Sequence, residues 1–314
     1  MIASCHLLLN LVEEINIDFD NLSQYQDYKH ICLVTREGGY GDAILSSRNA
    51  YYLSRFFEIS IICPDRLKRL FSVFPWFSNV ICTSDILSSS CDTSEFGCWS
   101  LLPNEVDIHT YSYTSIDNIK PVNYKAIIAS YISPLDLWSA DTRYDFIKLF
   151  LHERNSLKAN NNSLIVGLVW MSGVVCDNRF LDIELFSELA LVPNIALVSL
   201  QKGHNQENIR ANCTFSSHFV ESQALIDKTT DFADDGLIAS YCDHIITVDT
   251  SVAHLCGIIG CRTHILCANN AYEFWTPAYI QEMHNDNVSV YPFDHYSRAD
   301  LKRAISSIIN SIAP

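Results

Sequence analysis

Residues 244–268 read HIITVDTSVAHLCGIIGCRTHILCA. Two short apolar runs, His244–Val248 and Thr263–Ala268, flank a longer stretch that opens near Ser251 and closes at Gly260, the residue type that ends helices. The spacing predicts strand, helix, strand. That alternation belongs to a parallel sheet covered by helices on both faces, the α/β class.

Working outward, the unit recurs. Further strands are expected at Leu164–Trp170 and Ile195–Leu200, with helices at Ile183–Leu191, Asp235–Tyr241, Ser251–Ile259 and Arg298–Ile312. The first half repeats the theme with strands at His30–Thr35, Glu58–Cys63, Asn79–Cys82 and Lys125–Ser130, and helices at Asp42–Phe56, Asp65–Phe74 and Thr142–His152. The polar stretch Lys158–Ser163 reads as a linker, which divides the chain into domains 1–157 and 158–314. Ser84–Asn118 shows no sustained period and reads as loop-rich. The N-terminal segment meets Glu13 and Glu14 too soon for a secretion signal and reads as a short amphipathic helix.

With 21 Lys and Arg against 36 Asp and Glu, the 314-residue chain has a formal charge of −15, which disfavours nucleic acid or anionic lipid as a non-specific partner. No run approaches the roughly 18 apolar residues of a membrane span, so a soluble, cytoplasmic protein is expected. The 12 cysteines are too few for a disulfide scaffold of this length. Cys32, Cys63, Cys82 and Cys267 lie inside strand-like runs and read as buried thiols. No CxxC pair or zinc-finger spacing occurs, so no metal site is expected.

Only 10 glycines occur, where an average chain of this length has roughly 20. Three of them, Gly38, Gly39 and Gly41, fall together between the first strand and its helix, where absent side chains let a ligand approach the backbone. Asp42 follows at the helix start, a position that favours its charged form. The turn opens like a dinucleotide fingerprint, with Asp65 as the ribose acid, but Ile44 stands where the third glycine belongs. A shaped turn with a helix cap accounts for the same residues.

A second group lies at the carboxyl end of the Val248 strand. Asp249, Thr250 and Ser251 sit at a helix start, whose unpaired N–H groups suit a phosphate, and His254 shares the face of that first turn. A capped helix with a core histidine is the plain alternative. Lys202 follows the strand of Ser199-Leu200-Gln201-Lys202-Gly203 at the edge where such sheets bind ligands, and would offset diphosphate charge. Trp170 and Arg179 occupy the equivalent place after the preceding strand.

Taken in order, these motifs resemble the ADP-heptose heptosyltransferase-like glycosyltransferases of family 9. ICLVTREGGYGDAIL (Ile31–Leu45) looks like the family's opening strand, glycine loop and aspartate; Ile165–Gly173 with Arg179, SLQKG and VDTSVAHL (Val248–Leu255) look like its later motifs. The resemblance runs from about residue 30 to 275. It implies the GT-B fold, two Rossmann-like domains facing each other across a cleft. It also implies an inverting, metal-independent transfer of heptose or a related sugar from a nucleotide-diphosphate donor, ADP-heptose-like, to a hydroxyl of a glycan or protein acceptor. Lipopolysaccharide biosynthesis would be the setting, at the inner face of the membrane. In that reading Asp42 is the general base beside the acceptor loop Gly38, Gly39 and Gly41. Lys202, Asp249, Thr250, Ser251, His254, Trp170 and Arg179 hold the donor, and no cofactor is needed. Ser251 and Tyr40 depart from the usual residues at their positions, and ANNAYEFW lacks the common Gly-Pro-Thr run, leaving Tyr272, Phe274 and Trp275 as candidates to stack on the base. Two other readings stay open: a GT-B protein that binds glycan or nucleotide without turnover, and a nicotinamide-dependent enzyme.

Overall fold

The structure is a computed structural model that describes residues 13–14, 30–34, 40–82, 84, 98–101, 143–172, 179–203, 206–229, 231–269, 275 and 287–313. The chain separates into two compact units, Met1–Val122 with Asp231–Ala233, and Asn123–Thr230 with Asp234–Pro314.

The first unit holds a five-stranded parallel sheet in the order β1-β5-β2-β3-β4, built from β1 (Glu13–Glu14), β2 (His30–Val34), β3 (Glu58–Cys63), β4 (Asn79–Cys82) and β5 (Cys98–Leu101). Its β2 and β3 are near-continuous apolar runs because helices cover both faces of a parallel sheet. The helices Tyr40–Leu53 and Asp65–Ser72 connect the strands. Leu67, Leu70 and Phe71 of the latter are buried, a spacing of three and four that sets one helix face against the sheet. Two expectations change. Glu13 and Glu14 pair in parallel with Cys98 and Trp99, so they form an edge strand and not a helix, and Cys98–Leu101 is a strand inside the stretch read as loop-rich. The strand expected at Lys125–Ser130 lies outside the described residues.

The second unit has its own parallel sheet, ordered β10-β9-β8-β6-β7. Its strands are β6 (Leu164–Val169), β7 (Ile195–Ser199), β8 (His244–Val248), β9 (Thr263–Ala268) and β10 (Val288–Phe293). Every residue of β7 and β9 is buried. On one face, Leu301, Ala304, Ile305, Ile308 and Ile312 of the Arg298–Ile312 helix join Leu168, Ile246, Leu266 and Phe293 in a common core. Each fully buried Leu or Ile there adds about 1.5–3 kcal/mol. Ser297 starts that helix by accepting from the Asp300 N–H. The Ile183–Leu191 segment is helical as expected, but of the tighter 3-10 kind. Lys158–Asn161, read as linker, forms the last turn of the Arg143–Asn161 helix, and Asn162 leaves it at φ 49°.

The edge strand β7 is covered in an uncommon way. The Gln223 amide imitates a neighbouring strand, its Oε1 accepting from Ser199 N–H at 2.8 Å and its Nε2 donating to the Ser199 carbonyl at 3.0 Å. Beside it, the Val220 N–H donates to the Leu197 carbonyl at 3.0 Å. Cys32, Cys63, Cys82 and Cys267 are buried. Among the described residues no helix is long and apolar enough to cross a membrane.

Candidate functional site

β6 and β8 are neighbours in the second sheet, yet β6 leads outward to β7 and β8 leads the other way to β9 and β10. Strand order therefore reverses between them. The crevice outside their carboxyl ends is where open parallel sheets take ligands.

After β8 the chain turns through Asp249 and Thr250 into the helix Ser251–Ile258. Thr250 stays extended, at φ −146° and ψ 169°, and its Oγ1 accepts from the Ala253 N–H at 3.4 Å while lying 3.2 Å from Thr247 Oγ1. This is an N-cap, and it aims the first N–H groups of the helix outward, where an anion is favoured. At the far end Gly260, at φ 78°, takes the left-handed conformation that closes the helix. The Cys261 N–H reaches back to the Cys256 carbonyl at 2.9 Å, and the Gly260 N–H to Gly257 at 3.2 Å.

Around that turn the predicted residues converge. Asp249 is buried; its Oδ1 accepts from Trp275 Nε1 at 2.8 Å and its Oδ2 lies 3.9 Å from Arg179 Nη1. At that distance Arg179 attracts the carboxylate without a hydrogen bond, and about a quarter of its side chain remains exposed. His254 is buried, with its ring stacked on Trp275 at 4.6 Å and 19°. Burial pulls its imidazole down to about 4, against an opposing pull from Asp249 and with a small push from Arg179, so the ring is neutral at pH 7. Ser251 is partly exposed at the mouth.

Arg179 is brought to the site by a small antiparallel clasp after β6. Met171 bridges Phe180, Ser172 N–H donates to the Arg179 carbonyl at 2.9 Å, and Leu181 N–H donates to the Trp170 carbonyl at 2.9 Å. Gln201 at the end of β7 holds the same corner, its Oε1 accepting from the N–H groups of Trp170 at 3.1 Å and Met171 at 2.9 Å.

Two expected donor contacts are placed differently. Trp170 is completely buried in the sheet core, so its ring supports the corner from beneath and faces no ligand. Lys202 has turned inward. Its Nζ donates to the Ile226 carbonyl at 3.0 Å and to Thr229 Oγ1, and it lies 3.3 Å from Asp235 Oδ1. Two of the three N–H donors of the ammonium are used within the chain, and Asp235 is close enough to pair with it as a charge. Lys202 is thus the counter-ion of a buried aspartate, on the Phe232–Ser240 helix, and not a free charge at the edge.

On the first unit Gly41 and Asp42 are the second and third residues of the Tyr40–Leu53 helix. Gly38, Gly39 and the Asp42 side chain lie outside the described residues, as do Tyr272 and Phe274. Trp275 is buried against Ala253, Ile265, Cys267 and Val288, so base stacking is not its place. Sequence reading missed its contacts with Asp249 and His254, and missed Gln201; both are long-range pairings that no local spacing announces. Among the described residues no group of three or more His, Cys, Asp or Glu is arranged to hold a metal ion.

No protein-family model and no curated protein sequence matches the chain. Among solved structures it is similar to the Escherichia coli ADP-heptose LPS heptosyltransferase II, with a TM-score of 0.57 and 13% identity over 90% of this chain and 98% of that one. It is more distantly similar to the E. coli heptosyltransferase WaaC bound to ADP-2-deoxy-2-fluoro heptose, with a TM-score of 0.49 and 9% identity over 90% of this chain and 99% of that one. A family 9 glycosyl transferase from Veillonella parvula gives a TM-score of 0.47 and 12% identity over 84% of this chain and 86% of that one. At 13% identity the first likeness is one of fold: the chain has the α/β fold of heptosyltransferase II, the GT-B class that its motifs led one to expect.

Proposed function

We propose that the chain transfers a sugar from a nucleoside-diphosphate donor to a hydroxyl of a glycan or protein acceptor, with inversion at the anomeric carbon. The observation that carries this reading is the grouping of Arg179, Asp249, Thr250, Ser251 and His254 at the switch point of the second sheet. The donor diphosphate lies at the start of the Ser251–Ile258 helix, contacted by its N–H groups, by the Ser251 hydroxyl and by the Arg179 guanidinium. Neutral His254 offers a ring N–H to the same oxygens, and Asp249 keeps Arg179 turned toward the mouth.

Asp42 is the general base. Its carboxylate takes the proton of the acceptor hydroxyl as that oxygen bonds to the anomeric carbon from the face opposite the diphosphate. The bond from that carbon to the diphosphate oxygen breaks, and its electron pair leaves with the phosphate. Donors already fixed in place meet the growing charge, so no metal is required to do so. Lys202 contributes indirectly by tying the end of β7 to Asp235. The donor we favour is ADP-heptose or a close relative. A lipopolysaccharide-type surface glycan is the acceptor, and the work is done at the cytoplasmic face of the membrane.

The test is a thermal-shift screen of ADP, UDP and GDP with their sugars, followed by transfer assays. A ligand at 100 times its Kd adds about 2.7 kcal/mol. We expect ADP and ADP-sugars to stabilise most, turnover to persist in EDTA, and Asp42→Asn to lower transfer at least about 100-fold with ADP affinity within a few-fold of wild type. Stabilisation by no nucleoside diphosphate would end the reading, and undiminished turnover in Asp42→Asn would remove the base.

A further inference from the structure

We infer that Trp275 is a positioning residue for this donor site, holding Asp249 with its indole N–H and His254 with its ring face. The inference rests on the proposed transfer reaction for its consequence, but its geometry is independent of it. Asp249 ends the β8 turn and His254 lies in the helix that follows. Both reach the same indole, one along its edge at 2.8 Å and the other over its face at 4.6 Å with the planes 19° apart. The indole is fixed in turn by Ala253, Ile265, Cys267 and Val288, which belong to the helix, to β9 and to β10. It therefore links three neighbouring elements to two site residues.

Chemistry makes this arrangement consequential. A buried carboxylate needs a donor at each oxygen. Asp249 has Trp275 on Oδ1, and on Oδ2 a guanidinium held off at 3.9 Å. Without the indole N–H, the carboxylate gains by rotating to Arg179 and closing that gap to a hydrogen-bonded pair, which draws the guanidinium away from the diphosphate. Without the ring, His254 loses the plate that shields it from water.

Two variants separate these roles. Trp275→Phe keeps the plate and removes the N–H; Trp275→Leu removes both. ADP binding by calorimetry should weaken about tenfold in Trp275→Phe, the size of one hydrogen bond to a charged group. In an Asp249→Asn background the same change should have less than a twofold effect, because the carboxylate it acts through is gone. The donor KM should rise more than kcat falls. In the ligand-free protein, NMR titration of His254, which faces the charges of Asp249 and Arg179, should stay near its wild-type midpoint in Trp275→Phe. In Trp275→Leu it should rise by at least one pH unit toward 6.5. Wild-type affinity in Trp275→Phe, or an unmoved His254 in Trp275→Leu, overturns the inference. If the wild-type chain binds no nucleoside diphosphate, the transfer reading fails, and the His254 titration alone still decides the positioning role.

Discussion

Near the amino ends of β8 and β9, His244 Nδ1 lies 3.0 Å from His264 Nε2, whose Nδ1 lies 3.2 Å from the Tyr291 hydroxyl, itself 3.2 Å from Ser311 Oγ. At the carboxyl end of the same β8, Asp249, Thr250, His254 and Arg179 gather around a helix start. Both ends hold a buried histidine, and burial pushes both imidazoles down to about 4; at His264 the nearby His244 and Arg262 add to the effect. A displaced titration therefore does not separate the proposed donor site from a structural cluster. The company does. At the amino end each ring nitrogen of His264 is taken by another side chain, and the row of contacts runs on through Tyr291 and Ser311 to the Ile308 carbonyl. At the carboxyl end an exposed quarter of Arg179 and the partly exposed Ser251 lie at a helix start.

Sugar-transfer kinetics test that division directly. His254→Ala should lower kcat/KM for sugar transfer about 100-fold, a loss of transition-state contact of roughly 2.7 kcal/mol. His264→Gln should leave kcat/KM within twofold in the same assay. Equal losses in both would erase the distinction between the two ends.

A second contrast is that between the two cations. Lys202→Met takes the ammonium away from the buried Asp235 carboxylate, which costs about 3–5 kcal/mol in urea denaturation. Arg179→Ala, removing a partly exposed group, should change stability by less than about 1 kcal/mol while weakening ADP binding at least tenfold. A Lys202→Met protein of unaltered stability would place that ammonium at the ligand after all.

A third difference is in acid. His254 and His264 have folded-state midpoints below the unfolded value of 6.5. Above pH 6.5 both states are neutral and stability is intact. Between 6.5 and about 4 the unfolded chain takes up protons that the folded chain refuses, so stability falls as pH falls, by up to about 3 kcal/mol for each ring at roughly 1.4 kcal/mol per pH unit. His264→Gln should lose part of that slope in denaturation at pH 7 and pH 5, the rest coming from His254 and from His244, whose imidazole burial also pushes down. An unchanged slope would mean that His264 is not the buried neutral ring described here.

The parts of the fold legible in the sequence are those with dense, local signals. Strands β3, β8 and β9 and the Arg298–Ile312 helix lie where the apolar pattern put them, because strands covered on both faces must be apolar throughout and a one-sided helix must repeat at three and four. β10 was not anticipated. VSVYPF is fully buried only at its two ends, Val288 and Phe293, and includes Pro292, the habit of an edge strand, which lacks a continuous run. The pair Glu13–Glu14 has no strand signal at all; its partner, more than eighty residues away, supplies the ladder. The site divides the same way. Thr250 and His254 were visible as a capped helix start, whereas the inward turn of Lys202 depends on Asp235, and the fixing of Asp249 depends on Trp275.

The Gln223 amide on Ser199 has a meaning beyond local bonding. An open strand at the margin of a sheet invites another polypeptide to lie alongside it and lengthen the ladder. Here one side chain occupies the rung such an intruder would need, and the Val220 contact takes a second. Recruitment of a further copy, or of any extended peptide, along β7 would first have to evict both, so the rim is sealed by a residue that is no strand itself.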